Sequence, residues 1–269
     1  MTVELILQLI ALGTSVGFMA GLLGIGGGGI FVPVLTSLFL ANHVESTYVV
    51  HLALGTSMTT IVATSLSSML AHNKHKNVLW PIVKKMVPAI IVGAFITTFV
   101  VVYINSKALA LFFTIFMAYV SFKMAFGGKK PLSAEHAKQA SMFPALGIGS
   151  ISTLVAIGGG SLTVPYLVSL GNDIKKAIGT SAAIGFPLAI AGSLGYLING
   201  WNIEVSSSLE NSGIIGFVHL PAVVILSICG FISAPIGANF ANKLPMATLK
   251  KIFATLLLAL SIKMMLSVF

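Results

Sequence analysis

The chain has 269 residues, of which 57% are apolar and only 8% charged, and its mean hydropathy is +1.03. Soluble domains carry roughly 25% charged residues, so a soluble fold is excluded and a polytopic membrane protein is the class that remains. The net charge of +9 comes from 15 lysines with no arginine. Those lysines fall in short loops between apolar segments, where they set membrane orientation rather than bind nucleic acid.

Ten helical pieces are predicted, five in each half of the chain. The first half places them at about 5–23, 30–41, 51–72, 86–104 and 107–126. The start, Met1-Thr2-Val3-Glu4, lacks the basic n-region of a signal peptide, so the first apolar piece is expected to be retained. The segment Gly127 to Ser141, with Lys129, Lys130, Pro131, Glu135 and Lys138, is the one sizeable polar linker. The second half then places pieces at about 143–157, 161–170, 177–198, 217–241 and 247–268. The expected organisation is a first transmembrane repeat at 1–126, a cytoplasmic linker at 127–141 and a second repeat at 142–269. Crossing the hydrocarbon takes about 20 residues, and the second piece of each half is too short to do so upright. The first and second pieces of each half therefore read as a hairpin.

Each hairpin folds at a glycine run. The first run is Gly24-Ile25-Gly26-Gly27-Gly28-Gly29, leading to Pro33. The second is Gly158-Gly159-Gly160-Ser161, leading to Pro165. Gly26 pairs with Gly158 and Pro33 with Pro165 at a spacing of 132. Gly55-Thr56-Ser57 pairs with Gly179-Thr180-Ser181 at 124, and Trp80-Pro81 with Leu220-Pro221 and Lys123-Met124 with Lys263-Met264 at 140. Four matches in order indicate an internal duplication.

Charge sets the relative orientation of the halves. Lys74, Lys76, Lys84 and Lys85 follow the third piece of the first half, whereas Glu204 and Glu210 follow its counterpart. Glu45 precedes that third piece, whereas Lys175 and Lys176 precede its counterpart. The positive-inside rule then puts both termini outside and the linker, with Lys243, Lys250 and Lys251, inside. This path needs each hairpin to enter and leave on one face, which makes the two repeats inverted. Lys107 is the one loop lysine on the wrong side. Lys123 and Lys263 lie near helix ends and are expected to snorkel.

The string Gly24-x-Gly26-x-x-Gly29 matches a dinucleotide fingerprint, but that motif needs a strand before it and a soluble βαβ unit around it. Close helix packing through small residues is the plainer alternative. Consecutive glycines each cost a helix roughly 1 kcal/mol relative to alanine, so four in a row argue for a true break. Pro33 and Pro165 are expected near the start of the short helices that follow, where a missing N–H is tolerated. A break exposes unpaired amides and helix N-termini with a partial positive charge, which suits an oxyanion where no guanidinium is available. Such paired interruptions point to a transporter's substrate site.

The hydroxyls of Thr56, Thr60, Thr64 and Ser68 recur every four residues on one face. Their alternatives are back-bonding within the helix and lining of an oxyanion path. His51 and His219 lie near segment starts, where a structural role and proton coupling are both open. Cys229 is expected to be a packing residue. No carboxylate falls inside an apolar piece, and no metal-ligand spacing or catalytic constellation is present. Neither catalysis nor a cofactor is therefore expected.

The two glycine-turn motifs ending in Val-Pro, together with Ala53-Leu54-Gly55-Thr56-Ser57, Ala177-Ile178-Gly179-Thr180-Ser181 and Leu249-Lys250-Lys251-Ile252-Phe253, resemble the sulfite exporter TauE/SafE family over essentially the whole chain. The resemblance implies a bacterial inner-membrane protein that moves small sulfur-containing or organic anions. It maps the family's glycine motif onto Gly26, Gly28, Pro33, Gly159, Gly160 and Pro165. The second half departs from it by carrying Ala156-Ile157 in place of Gly24-Ile25.

The sequence thus predicts an all-α polytopic membrane protein of two inverted repeats, acting as a carrier or facilitator for a small oxyanion such as sulfite or a sulfonate. The expected substrate residues are Gly26, Gly27, Gly28, Gly29, Pro33, Thr56, Ser57, Gly158, Gly159, Gly160, Ser161, Pro165, Thr180 and Ser181. The expected partners are a small anionic solute and the lipid bilayer, with H⁺ and Na⁺ both open as coupling ions and no oligomeric state specified. Transport of another solute and a non-transporting membrane assembly factor are the alternatives.

Overall fold

The computed structural model describes residues 3–24, 26–44, 46–126, 141–203 and 213–268. Most of the linker, with Lys129, Lys130, Pro131, Glu135 and Lys138, lies outside the described residues. So do Glu45, Glu204 and Glu210 and the side chains of Lys123 and Lys250.

Among the described residues the helices are α1 (Val3–Leu23), α2 (Gly28–Ala41), α3 (Val49–Lys74), α4 (Trp80–Val101), α5 (Ser106–Phe126), α6 (Met142–Leu154), α7 (Gly160–Ser169), α8 (Ile174–Gly200), α9 (Leu220–Lys243) and α10 (Met246–Val268). Each expected piece is present. Five helices are long and apolar enough to cross a membrane, and their lipid-facing surfaces are apolar. Ile91, Val92, Ile96, Phe99 and Val100 of α4 are exposed, as are Val224, Ile228, Phe231, Ile232 and Ile236 of α9.

Several boundaries and the placement of two prolines differ from the sequence reading. Helix α4 starts at Trp80 rather than at 86, because Pro81 fits its first turn and the Thr180 hydroxyl accepts the Leu79 N–H at 2.9 Å. Helix α9 starts at Leu220 because a short antiparallel hairpin, β1 (Ile214–Ile215) with β2 (Val218–His219), takes the residues before it. Helix α6 stops at Leu154, and Ala156 beyond it has a positive φ of 44°. Pro33 and Pro165 are not in the first turn. Each is the sixth residue of its short helix, so each removes an interior hydrogen bond and leaves the carbonyl four residues earlier, Gly29 or Ser161, without its helical donor.

The two halves are intertwined. Helix α1 packs on α9 and α6 on α4, while α3 packs on α8 and α9, α8 on α4, and α5 on α10. This pattern is preserved when each helix is exchanged for its counterpart five helices on. Gly13, Gly17 and Gly21 of α1 lie against Cys229, Gly230 and Ala234 of α9 in the same order, so these two helices are parallel. Met58 meets Gly192 and Ser65 meets Gly185, and Thr59 and Ser193 share a hydrogen bond of 2.7 Å, so α3 and α8 are antiparallel. Helices α5 and α10 are also antiparallel, with Ser121 donating to Ala254 O at 2.7 Å and Ser261 to Thr114 O at 2.9 Å.

Membrane helices gain little from the hydrophobic effect against one another and rely on close packing. A Cβ at Gly21 would collide with the Ala234 carbonyl, which belongs to backbone and cannot swing away. Gly21→Val is therefore expected to destabilise the protein by about 2 kcal/mol or more, read as a lower unfolding midpoint in detergent.

Candidate functional site

Both glycine runs are breaks. Helix α1 ends at Leu23 and α2 begins at Gly28, and helix α6 ends at Leu154 and α7 begins at Gly160. Gly27 (φ 89°, ψ −10°) and Gly159 (φ 80°, ψ −20°) are the residues preceding α2 and α7, both in the left-handed region that glycine tolerates best. Gly24 and Gly26 also have positive φ, at 67° and 69°. No side chain caps either short helix. The first-turn N–H groups of a helix have no intrahelical partner, and here they belong to Gly28, Gly29, Gly160 and Ser161.

The two elbows touch. A Cβ at Gly26 would lie 3.0 Å from the Gly158 Cα, and one at Gly28 would overlap the Ala156 carbonyl oxygen. Gly26 to Gly29 and Gly158 to Gly160 are all buried. The glycine content of the motifs thus does two things. It permits the left-handed residue that turns the chain, and it removes the side chains that would separate the elbows.

The Gly-Thr-Ser motifs divide into distinct roles. A Cβ at Gly55 would strike the Phe217 carbonyl, and one at Gly179 would lie 2.6 Å from the Asn77 carbonyl. The Thr56 hydroxyl accepts the His219 N–H at 3.0 Å, and the Thr180 hydroxyl accepts the Leu79 N–H at 2.9 Å. Gly and Thr therefore dock the segment that opens the other half's fourth helix, and they do so in the same way in both halves. The serines differ. Ser181 donates to the Gly24 carbonyl at 3.1 Å, holding the first elbow, whereas the Ser57 hydroxyl is buried without a partner. Thr64 donates to the Gly26 carbonyl at 2.9 Å, and Thr60 bonds back to the Thr56 carbonyl at 2.9 Å.

Thr180→Val keeps the shape but strands the Leu79 N–H. A lost buried hydrogen bond costs roughly 1–3 kcal/mol, so Thr180→Val and Thr56→Val should each lower the unfolding midpoint. Neither should shift the half-saturating anion concentration of the folded fraction by more than about twofold, which ligand titration by thermal shift measures.

Three further hydroxyls around the second elbow are buried without a partner: Ser152, Ser161 and Thr163. Ser161 was legible from its place in the glycine run. Ser152 and Thr163 were not, because nothing in an apolar sequence distinguishes a hydroxyl that bonds back to its helix from one that does not. Thr163 Oγ1 lies 3.4 Å from where a Cβ at Gly159 would stand, which places it over the elbow itself. Buried side-chain polar atoms are nearly always hydrogen-bonded, so this group of free donors beside two uncapped helix N-termini is chemically suited to an anion.

No cluster of three or more His, Cys, Asp or Glu capable of holding a metal occurs among the described residues. A groove of about 450 Å³ lies between α3, α8 and α9, lined by Thr59, Val62, Leu66, Ile190, Leu194 and Phe231 among others. Exposed Ile190, Leu194 and Phe231 make it a lipid-facing surface. His51 is occupied structurally, with Nε2 donating to the Val101 carbonyl at 3.1 Å.

An all-helical polytopic protein of this kind, with paired broken hairpins meeting in a polar, uncapped centre, belongs to the class of membrane transporters. The family model for "Sulfite exporter TauE/SafE" matches residues 9–264. The chain belongs to the sulfite exporter TauE/SafE family. A "probable membrane transporter protein" of Haemophilus influenzae is 35% identical over 97% of this chain and 98% of its own. Another of that description from Methanocaldococcus jannaschii is 28% identical over 96% and 94%. The probable membrane transporter protein YunE of Bacillus subtilis is 30% identical over 71% and 78%. No solved structure matches the chain.

Proposed function

We propose that this transporter carries a small oxyanion, sulfite or a sulfonate, bound at the joined elbows by the first-turn amides of α2 and α7 together with Ser57, Ser152, Ser161 and Thr163. The observation that carries this reading is the contact between two uncapped, left-handed glycine elbows with free buried hydroxyls beside them. Thr56, Thr180 and Ser181 act as positioning residues that hold the surrounding backbone. The chain itself performs no chemistry on the solute.

The two halves, 1–126 and 142–269, act as inverted repeats joined by a cytoplasmic linker at 127–141, in a bacterial inner membrane with both termini outside. The antiparallel run of α3 against its counterpart α8, and of α5 against α10, supports the inversion. The parallel run of α1 with α9 supports an N-terminus on the face from which α9 enters. Burial of both elbows supports an occluded arrangement, from which each half opens in turn.

Uptake into proteoliposomes tests this directly, with sulfite, methanesulfonate and taurine offered under imposed H⁺ or Na⁺ gradients. Saturable uptake of the anions above that of empty liposomes is expected, and the gradient that accelerates it identifies the coupling ion. Uptake of none of them, with no stabilisation of the purified protein by sulfite, would overturn the assignment.

A further inference from the structure

Beyond the elbows, two more donors lie buried without partners on the α2 side of the protein: the Thr36 hydroxyl and Nε2 of His219. Both residues are fully inaccessible to solvent, at 0% exposure. Thr36 sits seven residues after Gly29, two turns along the same face of α2. Phe39, one turn further, meets the His219 ring edge-on with centroids 5.7 Å apart. The three positions therefore follow one another along α2, from the first elbow toward the segment that opens α9.

The hydrogen bonds of His219 fix its tautomer. Its Nδ1 accepts the Ala222 N–H at 3.2 Å, capping α9. Burial pushes its pKa down to about 4, so the ring is neutral at physiological pH. A neutral ring that accepts at Nδ1 carries its proton on Nε2. The unpartnered atom is thus an N–H donor, and a buried donor without an acceptor is costly. The other half has Val168 and Leu79 at the equivalent positions, by the spacings of 132 and 140. This pair of donors consequently has no role in the packing that the two halves share.

We propose that the Thr36 hydroxyl and the His219 Nε2–H form a second station for the transported oxyanion, outboard of the elbows along α2. It rests on the oxyanion reading above and deepens it. An anion with several oxygens, such as sulfite or a sulfonate, accepts from each donor in turn as it passes between the elbow amides and the His219 end. A solute without an anionic acceptor gains nothing there.

Two variants separate this role from a structural one. His219→Asn keeps an acceptor near the Nδ1 position, and so the cap on Ala222, but deletes the Nε2 donor. Thr36→Val is isosteric and removes a hydroxyl. In proteoliposomes each is expected to raise the half-saturating concentration of sulfite and of methanesulfonate about tenfold or more, as loss of a hydrogen bond to a charged group does. For Thr36→Val the unfolding midpoint without anion should stay unchanged or rise, since an unpaired buried hydroxyl has gone; His219→Asn carries a buried amide NH2 of its own and is read by affinity alone. Should His219→Asn fail to purify, Thr36→Val decides alone. Unchanged half-saturation in the variants, while Ser161→Ala or Thr163→Val shifts it, overturns the station and leaves the function standing. Absence of anion uptake by the unmodified protein overturns both.

Discussion

Gly28→Ala is expected to reduce transport more than a hundredfold while the protein still inserts in the membrane. The added methyl has no room, because the Ala156 carbonyl oxygen occupies its position. That oxygen belongs to the opposite elbow's backbone, so relief requires the two elbows to separate. Separation breaks the shared neighbourhood of amides to which the proposed function assigns the anion, and a displacement of about 1 Å in groups that position a substrate can cost about a hundredfold. Gly159→Ala provides the graded comparison. Its nearest neighbour would be Thr163 Oγ1 at 3.4 Å, so space exists, and the penalty is the left-handed φ of 80°. That strain costs about 1 kcal/mol, which predicts a lower unfolding midpoint and transport reduced only several-fold. Gly147→Ala is the control, since nothing lies within 4 Å of its added carbon; it should leave flux unchanged. Flux in proteoliposomes, with gel filtration in detergent to verify the fold, measures all three. Normal flux through Gly28→Ala would show that the elbow contact has no part in transport.

The second large effect concerns the hydroxyls at the second elbow. Ser161→Ala and Thr163→Val should each weaken oxyanion binding about tenfold, and the double variant about a hundredfold, because hydrogen bonds to a charged ligand contribute roughly 1.5–3 kcal/mol each. The protein without anion should be no less stable, since neither hydroxyl has a partner to lose. This sign separates a binding group from a packing group. Thr180→Val moves in the opposite sense, lowering stability and sparing affinity. Thermal-shift titration with sulfite reads both quantities in one experiment, and a fall in stability without a loss of affinity for Ser161→Ala would remove that serine from the site.

Much of the architecture was legible along the chain because membrane helices announce themselves. Runs of about 20 apolar residues bounded by lysine, proline or glycine leave few alternatives, and all ten pieces were placed close to their observed positions. The errors came where a distant residue decides a local boundary. Nothing near Trp80 indicates that Thr180 will hold the N–H of Leu79, so the start of α4 read six residues late. The same distance obscured the Gly-Thr-Ser motifs. Their duplication was visible, and it marked them as important. Yet the sequence could not distinguish a threonine that docks the opposite half from one that faces a solute. The hydroxyls of Thr56 and Thr180 each accept an N–H of the opposite half.

The amino-acid order alone determined the membrane class, the ten helical pieces and the places where helix would break, because each depends on composition and on contacts within a few residues. Only the tertiary structure decided that Gly26 and Gly158 meet, that each half's first helix packs on the other's fourth, and which buried hydroxyls lack a partner. Those facts concern groups more than fifty residues apart, brought together by packing. A hydroxyl's chemistry is set by what stands next to it in space, and an apolar sequence carries no local trace of that neighbour.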